Sequence, residues 1–409
     1  MNSKQKNIFW SINLFAFVFL MYFITQVTKA YIAADYPEIS DTMIANLLTI
    51  PNLVGLVFSF LIGPVALKHS KRKLTAVSLA CVIIYCAAFY FTGLLHLPFW
   101  MLIVGCFFAG CSQGTYAPLL NSMIADHFPA EQRGNRIANY NVAINIGALI
   151  ILQLSGIIAS ANDGANWYNA YLLGLATAAG LAVFLLLTKK ADADVPSIQQ
   201  NLESGAPSPK MRDIPKTVIG FVILMGFIHC LFYIGQYAFN INVSTFIVSE
   251  YELGSSVQVG TATSLVRFSL VIFTALYPVL NRTFKNWMIP LGYLCVAAGL
   301  LIMMQTKSLT GAYVCACFIG LATSLAHSTL YAKASRFVSA ALVPVAMSLV
   351  WGVANIGSSF AVYALKGISA LMGGGMSNSF LAGVIVSVIA AVIAVYMYVI
   401  KKPVEDVER

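Results

Sequence analysis

The sequence predicts an all-α integral membrane protein of twelve transmembrane helices in two pseudo-symmetric six-helix bundles. Three observations predict it: an apolar composition, recurrent apolar runs of membrane-crossing length, and basic residues that alternate from loop to loop. Of the 409 residues, 59% are hydrophobic and only 10% charged, with a mean hydropathy of +0.81. A soluble domain is about half apolar and a quarter charged.

A helix needs roughly 20 apolar residues to cross the hydrocarbon core, and twelve such runs follow one another along the chain. The expected spans are 8–32, 42–66, 74–95, 98–122, 136–159 and 167–188, then 217–248, 256–279, 287–305, 309–331, 344–368 and 378–400. The first run is too long for a removable secretory signal, and no small-residue cleavage pattern follows it. It reads as the first span. All eight cysteines, Cys81, Cys86, Cys106, Cys111, Cys230, Cys295, Cys315 and Cys317, fall inside expected spans, where a thiol behaves as a small apolar group. Neither a disulfide framework nor a metal site is expected, and no cofactor.

The formal charge of +9 acquires meaning from its placement. With both termini in the cytoplasm, the inner segments collect Lys4 and Lys6; Lys68, Lys71, Arg72 and Lys73; Arg133 and Arg136; Lys189, Lys190, Lys210, Arg212 and Lys216; Arg282 and Lys285; Lys333 and Arg336; and Lys401, Lys402 and Arg409. Only Lys29, Arg267, Lys307 and Lys366 of the 24 Lys and Arg lie elsewhere, so every inner segment obeys the positive-inside rule. The basic excess is a topology signal for a multi-pass protein of the cell membrane. It is not a nucleic-acid footprint, since no soluble domain is left to carry one.

One long polar stretch, 189–216, contains Asp192, Asp194, Pro196, Ser204, Gly205, Pro207, Ser208 and Pro209 and reads as a cytoplasmic linker. It separates an N-terminal bundle, 1–188, from a C-terminal bundle, 217–409. The two resemble each other at an offset near 210 residues: Ala143-Ile-Asn145-Ile-Gly147 matches Val353-Ala-Asn355-Ile-Gly357, and Cys106-Phe107 matches Cys317-Phe318. Parallel repeats of this kind place a substrate site between the halves near the membrane midplane.

Between the second and third spans the chain reads Gly63-Pro-Val-Ala-Leu67-Lys68-His69-Ser70-Lys71-Arg72-Lys73, which resembles the major facilitator superfamily signature G-x-x-x-D-[RK]-x-G-[RK]-[RK]. Gly63, Lys68, Lys71 and Arg72 match; Leu67 stands where the family has an acid and Ser70 where it has a second glycine. Between spans four and five, Pro129-Ala-Glu131-Gln-Arg133-Gly134 resembles the family's P-x-E-x-R-G pattern. A weaker echo of the first signature follows span eight at Tyr277 to Lys285. The resemblance implies a secondary transporter whose halves rock about a central site, with Lys68, Lys71, Arg72, Glu131 and Arg133 in the cytoplasmic gating loops. The Gly-Pro pair typical of the family's proton-coupled drug exporters is missing from span five.

A charge at mid-bilayer costs about 2.5 to 3.5 kcal/mol on insertion scales, so an ionised residue inside a span is a functional candidate. Arg267, some eleven residues into span eight, is the clear case, and a permanently charged fork suits a carboxylate. Span seven carries a polar stripe of His229, Tyr233, Gln236, Tyr237 and Asn240. Tyr22 and Gln26 in span one, Asn145 in span five, and Trp351 and Asn355 in span eleven complete the expected substrate-binding set. Lys29 and Lys366 lie toward the outer ends of their spans, where they either snorkel to the interface or attract anions to the outer mouth. His327 receives no role.

All fifteen Asp and Glu fall in loops, the linker, the tails or span ends. Proton-driven sugar and cationic-drug carriers usually use a carboxylate inside the membrane, and none is present, so the expected cargo is a small or medium organic anion moved by exchange or with a proton. The expected partners are that anionic small molecule and the bilayer, and the protein is expected to be a monomer. Two other readings stand beside this one: an exporter of drugs or hydrophobic metabolites, whose adaptable surface the many aromatics and methionines would supply, and a non-transporting receptor built on a carrier fold. No Ser-His-Asp, metal-ligand or phosphate-loop constellation stands at usable spacing, so an enzyme is not expected.

Overall fold

The computed structural model describes residues 3–128, 130–189, 216–334 and 343–400. Its long helices are α1 (Ser3–Asp35), α2 (Ile50–Lys68), α3 (Lys71–Leu94), α4 (Trp100–His127), α5 (Ala130–Ala159) and α6 (Trp167–Lys189), followed by α7 (Lys216–Thr245), α8 (Ser256–Ala275), α9 (Met288–Thr306), α10 (Leu309–Ala334), α11 (Val343–Leu371) and α12 (Met376–Ile400). Ten of these segments are long and apolar enough to cross a membrane. The other two, α4 and α11, are 28 and 29 residues long, more than the roughly 20 a crossing needs.

Each expected span overlaps one of these long helices. The largest shift is in the second span, which divides into a short helix, Asp41–Asn46, and α2, beginning at Ile50 and not at 42; the boundaries around Pro129 move by slightly less. Helix α4 runs on to His127, Phe128 takes the extended conformation (φ −126°, ψ 138°) favoured before a proline, and α5 begins at Ala130. Glu131, Arg133 and Gly134, expected in a loop, therefore belong to the first turns of α5. The loop between α2 and α3 is just as short, and Ser70 explains why: it is the N-cap of α3, its hydroxyl accepting from the Lys73 N–H at 3.3 Å. Where the family signature has glycine, this chain has a capping residue.

Helix α1 tightens into a 3₁₀ turn at Leu20–Phe23, although that stretch contains no glycine or proline. The Tyr85 hydroxyl donates to the Tyr22 carbonyl at 3.4 Å. A side chain inserted into the backbone ladder is one of the few recognised causes of a helix irregularity.

The chain sorts into two compact units, Met1–Ala206 with Ser255–Gly260, and Pro207–Gly254 with Thr261–Arg409. The expected linker, 189–216, lies outside the described residues except for its two ends. Inside the first unit α1 packs on α5 and α6, and α3 on α4 and α6; inside the second α7 packs on α11 and α12, and α9 on α10 and α12. The same four pairings recur at equivalent positions.

Glycines set the distances of the repeated contacts. A β-carbon at Gly147 in α5 would overlap the Phe17 carbonyl of α1, and one at Gly357 in α11 would overlap the Cys230 carbonyl of α7. These are the glycines of the Ala143–Gly147 and Val353–Gly357 repeat. Gly110 of α4, pressed on Pro51 and Val54 of α2, has its counterpart 210 positions later in Gly320 of α10, pressed on Val266 and Ser269 of α8. Small residues let membrane helices approach backbone to backbone, where dispersion and packing hold them without help from water. The cysteine match is looser, since Cys106 is fully buried while Cys317 is half-buried.

Gly147→Ala and Gly357→Ala are each expected to lower the thermal unfolding midpoint in detergent, by the equivalent of about 1–3 kcal/mol for overpacking a close contact. Gly220 and Gly367 have nothing within 4 Å of an added β-carbon, and their alanine variants should be neutral or gain up to about 1 kcal/mol of helix propensity.

Candidate functional site

In the first unit a hydroxyl network surrounds the irregular turn of α1. Thr25 Oγ1 lies 2.5 Å from the Tyr85 hydroxyl and 2.9 Å from that of Tyr171, and Thr28 Oγ1 lies 3.0 Å from Tyr171. All four side chains are essentially buried, so α1, α3 and α6 are tied by bonds with no water to compete. The network holds the segment carrying Tyr22 and Gln26. Tyr22 is half-buried in a ring cluster, 4.6 Å from Phe23 and 6.0 Å from Phe19 between centroids. Gln26 is 8% exposed. Asn145 turns its amide back on its own helix, donating to the Asn141 carbonyl at 2.8 Å. Asn355 in the second unit does the same to Trp351 at 2.9 Å.

Lys29 departs from expectation. It does not snorkel: it is 1% exposed and its ammonium lies 3.8 Å from the carboxylate of Asp41. Asp41 opens the short helix Asp41–Asn46, which brings a compensating charge to the buried cation.

In the second unit α7 and α10 meet along a polar seam. His229 Nε2 lies 3.3 Å from His327 Nδ1, and the Tyr233 hydroxyl lies 3.4 Å from the same nitrogen. Three and four residues along, Gln236 Nε2 donates to Thr323 Oγ1 at 3.2 Å. His229 is completely buried, its ring stacked on Phe232 at 4.8 Å. Trp351 of α11 closes the group edge-on, 5.5 Å from His327 and 6.4 Å from Tyr233. Tyr237, one turn beyond Tyr233, is half-buried. Of the expected residues, His229, Tyr233 and Trp351 are brought together; His327 joins them although the sequence assigned it no role. Arg267 is half-buried at the twelfth position of α8, with Thr263 buried one turn before it. Helix α8 joins α10 through Thr274 and Ser324 at 3.3 Å.

A family model described as the Major Facilitator Superfamily matches residues 11–362. The chain belongs to the Major Facilitator Superfamily. No curated protein matches it. Solved structures that it resembles include a POT family transporter in complex with 5-aminolevulinic acid (12% identity, TM-score 0.77, 96% of each chain covered). A D-xylose-proton symporter is similar at 16% identity and TM-score 0.74, covering 96% of this chain and 97% of the other. So is a bacterial homolog of the human lysosomal transporter Spinster in an inward-facing, unoccupied conformation, at 16% identity and TM-score 0.72 with 98% of each covered. At these identities the likeness establishes the fold of a multi-pass membrane transporter.

The major facilitator loop residues take specific positions in this fold. Arg72 Nε donates to Thr188 Oγ1 at 2.9 Å and its Nη2 to the Leu185 carbonyl at 3.0 Å. A cation at the last turn of a helix satisfies free carbonyls and complements the helix dipole, so Arg72 fastens α3 to the end of α6. Lys71 is 4% exposed. Lys68 ends α2, and Glu131 and Arg133 stand in the opening turns of α5.

Thr25→Val is expected to cost about 1–3 kcal/mol, because it removes two buried interhelical hydrogen bonds, leaving Tyr85 with the Tyr22 carbonyl and Tyr171 with Thr28. Thr323→Val removes a single interhelical bond and should cost about 0.6–1.7 kcal/mol. Thermal unfolding of the purified variants should rank them in that order.

Proposed function

We propose that this major facilitator carries a small or medium organic anion, a carboxylate, by exchange or together with a proton. The observation that carries the reading is the charge inventory of the second half: between Glu252 and Glu405 the sequence contains no Asp or Glu, while Arg267 stands in the middle of α8. A fixed guanidinium in a low-dielectric setting attracts an anion and repels a cation. One transporter of this fold is solved with 5-aminolevulinic acid, a small amino-carboxylate, so cargo of that size is compatible with the architecture.

Tyr22, Gln26 and Asn145 in the bundle 1–188, and His229, Tyr233, Tyr237, Arg267, Trp351 and Asn355 in the bundle 217–409, are the residues proposed to meet the cargo. Arg267 holds its charge and the aromatics cover its apolar part. The bundles, joined by 189–216, exchange access by rocking in the family's manner, with Lys68, Lys71, Arg72, Glu131 and Arg133 on the cytoplasmic side. The alternating basic segments support cytoplasmic termini for a multi-pass protein of the cell membrane, and the carrier is proposed to work as a monomer. Its partners are the anion and the bilayer.

Energetics limit the mode. Moving one negative charge inward against 100 mV costs about 2.3 kcal/mol. Import therefore needs an internal counter-anion or an accompanying proton, whereas export runs downhill.

Proteoliposomes preloaded with succinate, malate, citrate or pyruvate and supplied with the same labelled acid outside test this directly. Native protein should exchange at least one acid, and Arg267→Gln should slow that exchange ~10- to 100-fold, the effect of losing a charged hydrogen bond of about 1.5–3 kcal/mol. Flux untouched by the substitution, or none with any anion, would favour export of drugs or hydrophobic metabolites instead.

A further inference from the structure

The pair formed by His229 and His327 has a nitrogen count that a packing role does not explain. A neutral imidazole offers one N–H donor and one bare acceptor nitrogen. With His229 Nε2 and His327 Nδ1 at 3.3 Å, one of the two donates and the other accepts. His229 Nδ1 is then left over, and it is buried with no hydrogen-bond partner. In one tautomer it is a bare lone pair; in the other it is an N–H without an acceptor. A buried polar atom in that condition is costly, and a lone pair there is a base.

The groups around the pair make it a base with a limited capacity. On α7 the titratable neighbours are Tyr233, whose hydroxyl is 3.4 Å from His327 Nδ1, and Tyr237 one turn on. On α9 it is Tyr293, whose ring lies 5.2 Å from that of Phe232 beneath His229. On α10 the next charge is Lys333, six residues past His327 and bonded to Asn286 Oδ1 at 3.0 Å. On α11 the facing group is Trp351, which does not titrate, and on α12 it is Tyr398, whose ring faces Lys333 at 5.6 Å. Helix α8, joined to α10 through Thr274 and Ser324, carries Arg267 at its twelfth position. None of these groups is a carboxylate, and the sequence contains no Asp or Glu between Glu252 and Glu405, so none of the groups named steadies an imidazolium with a fixed negative charge. Two imidazolium rings at a centroid separation of 5.3 Å would repel strongly, so like charges restrict the pair to one proton.

We propose that His229 and His327 together form a one-proton site that couples transport to the proton gradient, the cargo's own negative charge supplying the counter-charge. The inference rests on the anion reading above. One proton adds to the free imidazole nitrogen, giving a single imidazolium whose N–H bridges the two rings; it leaves from the same pair when the anion departs, and no bond other than N–H is made or broken. Anion and proton each raise the affinity for the other, which is reciprocal coupling in the thermodynamic sense. A monovalent anion moved with that proton crosses without net charge, which removes the electrical opposition to import.

The site is tested first with protons alone. In protein carrying ¹⁵N-labelled histidine, reconstituted in nanodiscs and titrated from pH 8 to pH 4, the two rings should report one shared transition. His327→Gln should abolish the shared transition and shift that of His229 by at least one pH unit. Independent titration of both rings, each gaining a full proton, overturns the proposal, as does neutrality of both rings throughout, with succinate, malate, citrate and pyruvate each present in turn. Coupling is then read as a ratio that does not depend on rate: proteoliposomes loaded with a luminal pH dye take up each labelled acid, and protons are counted per anion. About one proton per anion in native protein, falling toward zero in His327→Gln, supports the site. Native flux of an anion with no proton, or an unchanged ratio in the variant, overturns it. Failure of native protein to move any of the four acids instead overturns the anion reading, an outcome that the shared transition read with protons alone keeps separate.

Discussion

A polar group inside hydrocarbon has no water to turn to, and this constraint orders the structure at every level. The backbone meets it by closing its own hydrogen bonds in the twelve long helices of the described residues. The side chains meet it in pairs between helices: Thr25 with Tyr85 and Tyr171, Gln236 with Thr323, His229 with His327, Lys29 with Asp41. Each pair names which two helices adjoin and in what register, information that lipid-facing leucines and valines cannot supply. Among the described residues several buried polar atoms are left over, and His229 Nδ1 is the one that the proposed proton site uses.

The second organising element is close backbone approach. The contact of α1 with α5 and that of α7 with α11 are made in the same way, through Gly147 and Gly357 against the carbonyls of Phe17 and Cys230. Such contacts leave no room for sliding and make each bundle stiff. A carrier that rocks needs stiff bodies, so that free energy from binding is spent on moving one against the other and not on deforming either. The duplicated asparagines point the same way: Asn145 and Asn355 bond back to their own helices with matching geometry, two copies of one design.

Much of this was legible in the sequence because the membrane imposes a strong signal. Apolar runs of fixed length place the helices, and the alternation of Lys and Arg separates inner from outer segments. The Asn-x-Gly repeat marks the duplicated contact before any coordinates are known. The seam between α7 and α10 was only half legible. His229, Tyr233 and Gln236 form a stripe along one helix, but their partners Thr323 and His327 lie about 90 residues away and are spaced by four, a pattern that packing residues also adopt. Lys29 was misread for a similar reason: helical position suggests an outer-end lysine that reaches for water, and only folding brings Asp41 beside it. Ser70 looked like a lost glycine and is a helix cap, because the same position can stop a chain by flexibility or by a hydroxyl. The span boundaries around Pro129 differ because α4 and α5 run on beyond their apolar stretches to the residues beside that proline.

What gives the protein its proposed selectivity is an imbalance of charge: cations and histidines among the spans of the second half, and no carboxylate between Glu252 and Glu405. Ligand binding to the native state alone raises its stability by about 2.7 kcal/mol at a hundred times the dissociation constant, so the sign of the cargo's charge is measurable without transport. The direct test is the thermal unfolding midpoint of the purified protein with organic anions, lipophilic cations and neutral sugars, each at millimolar concentration. A rise of a few degrees with one or more carboxylates, and none with cations or sugars, is the predicted result. Stabilisation by lipophilic cations or sugars, with every carboxylate inert, would contradict it.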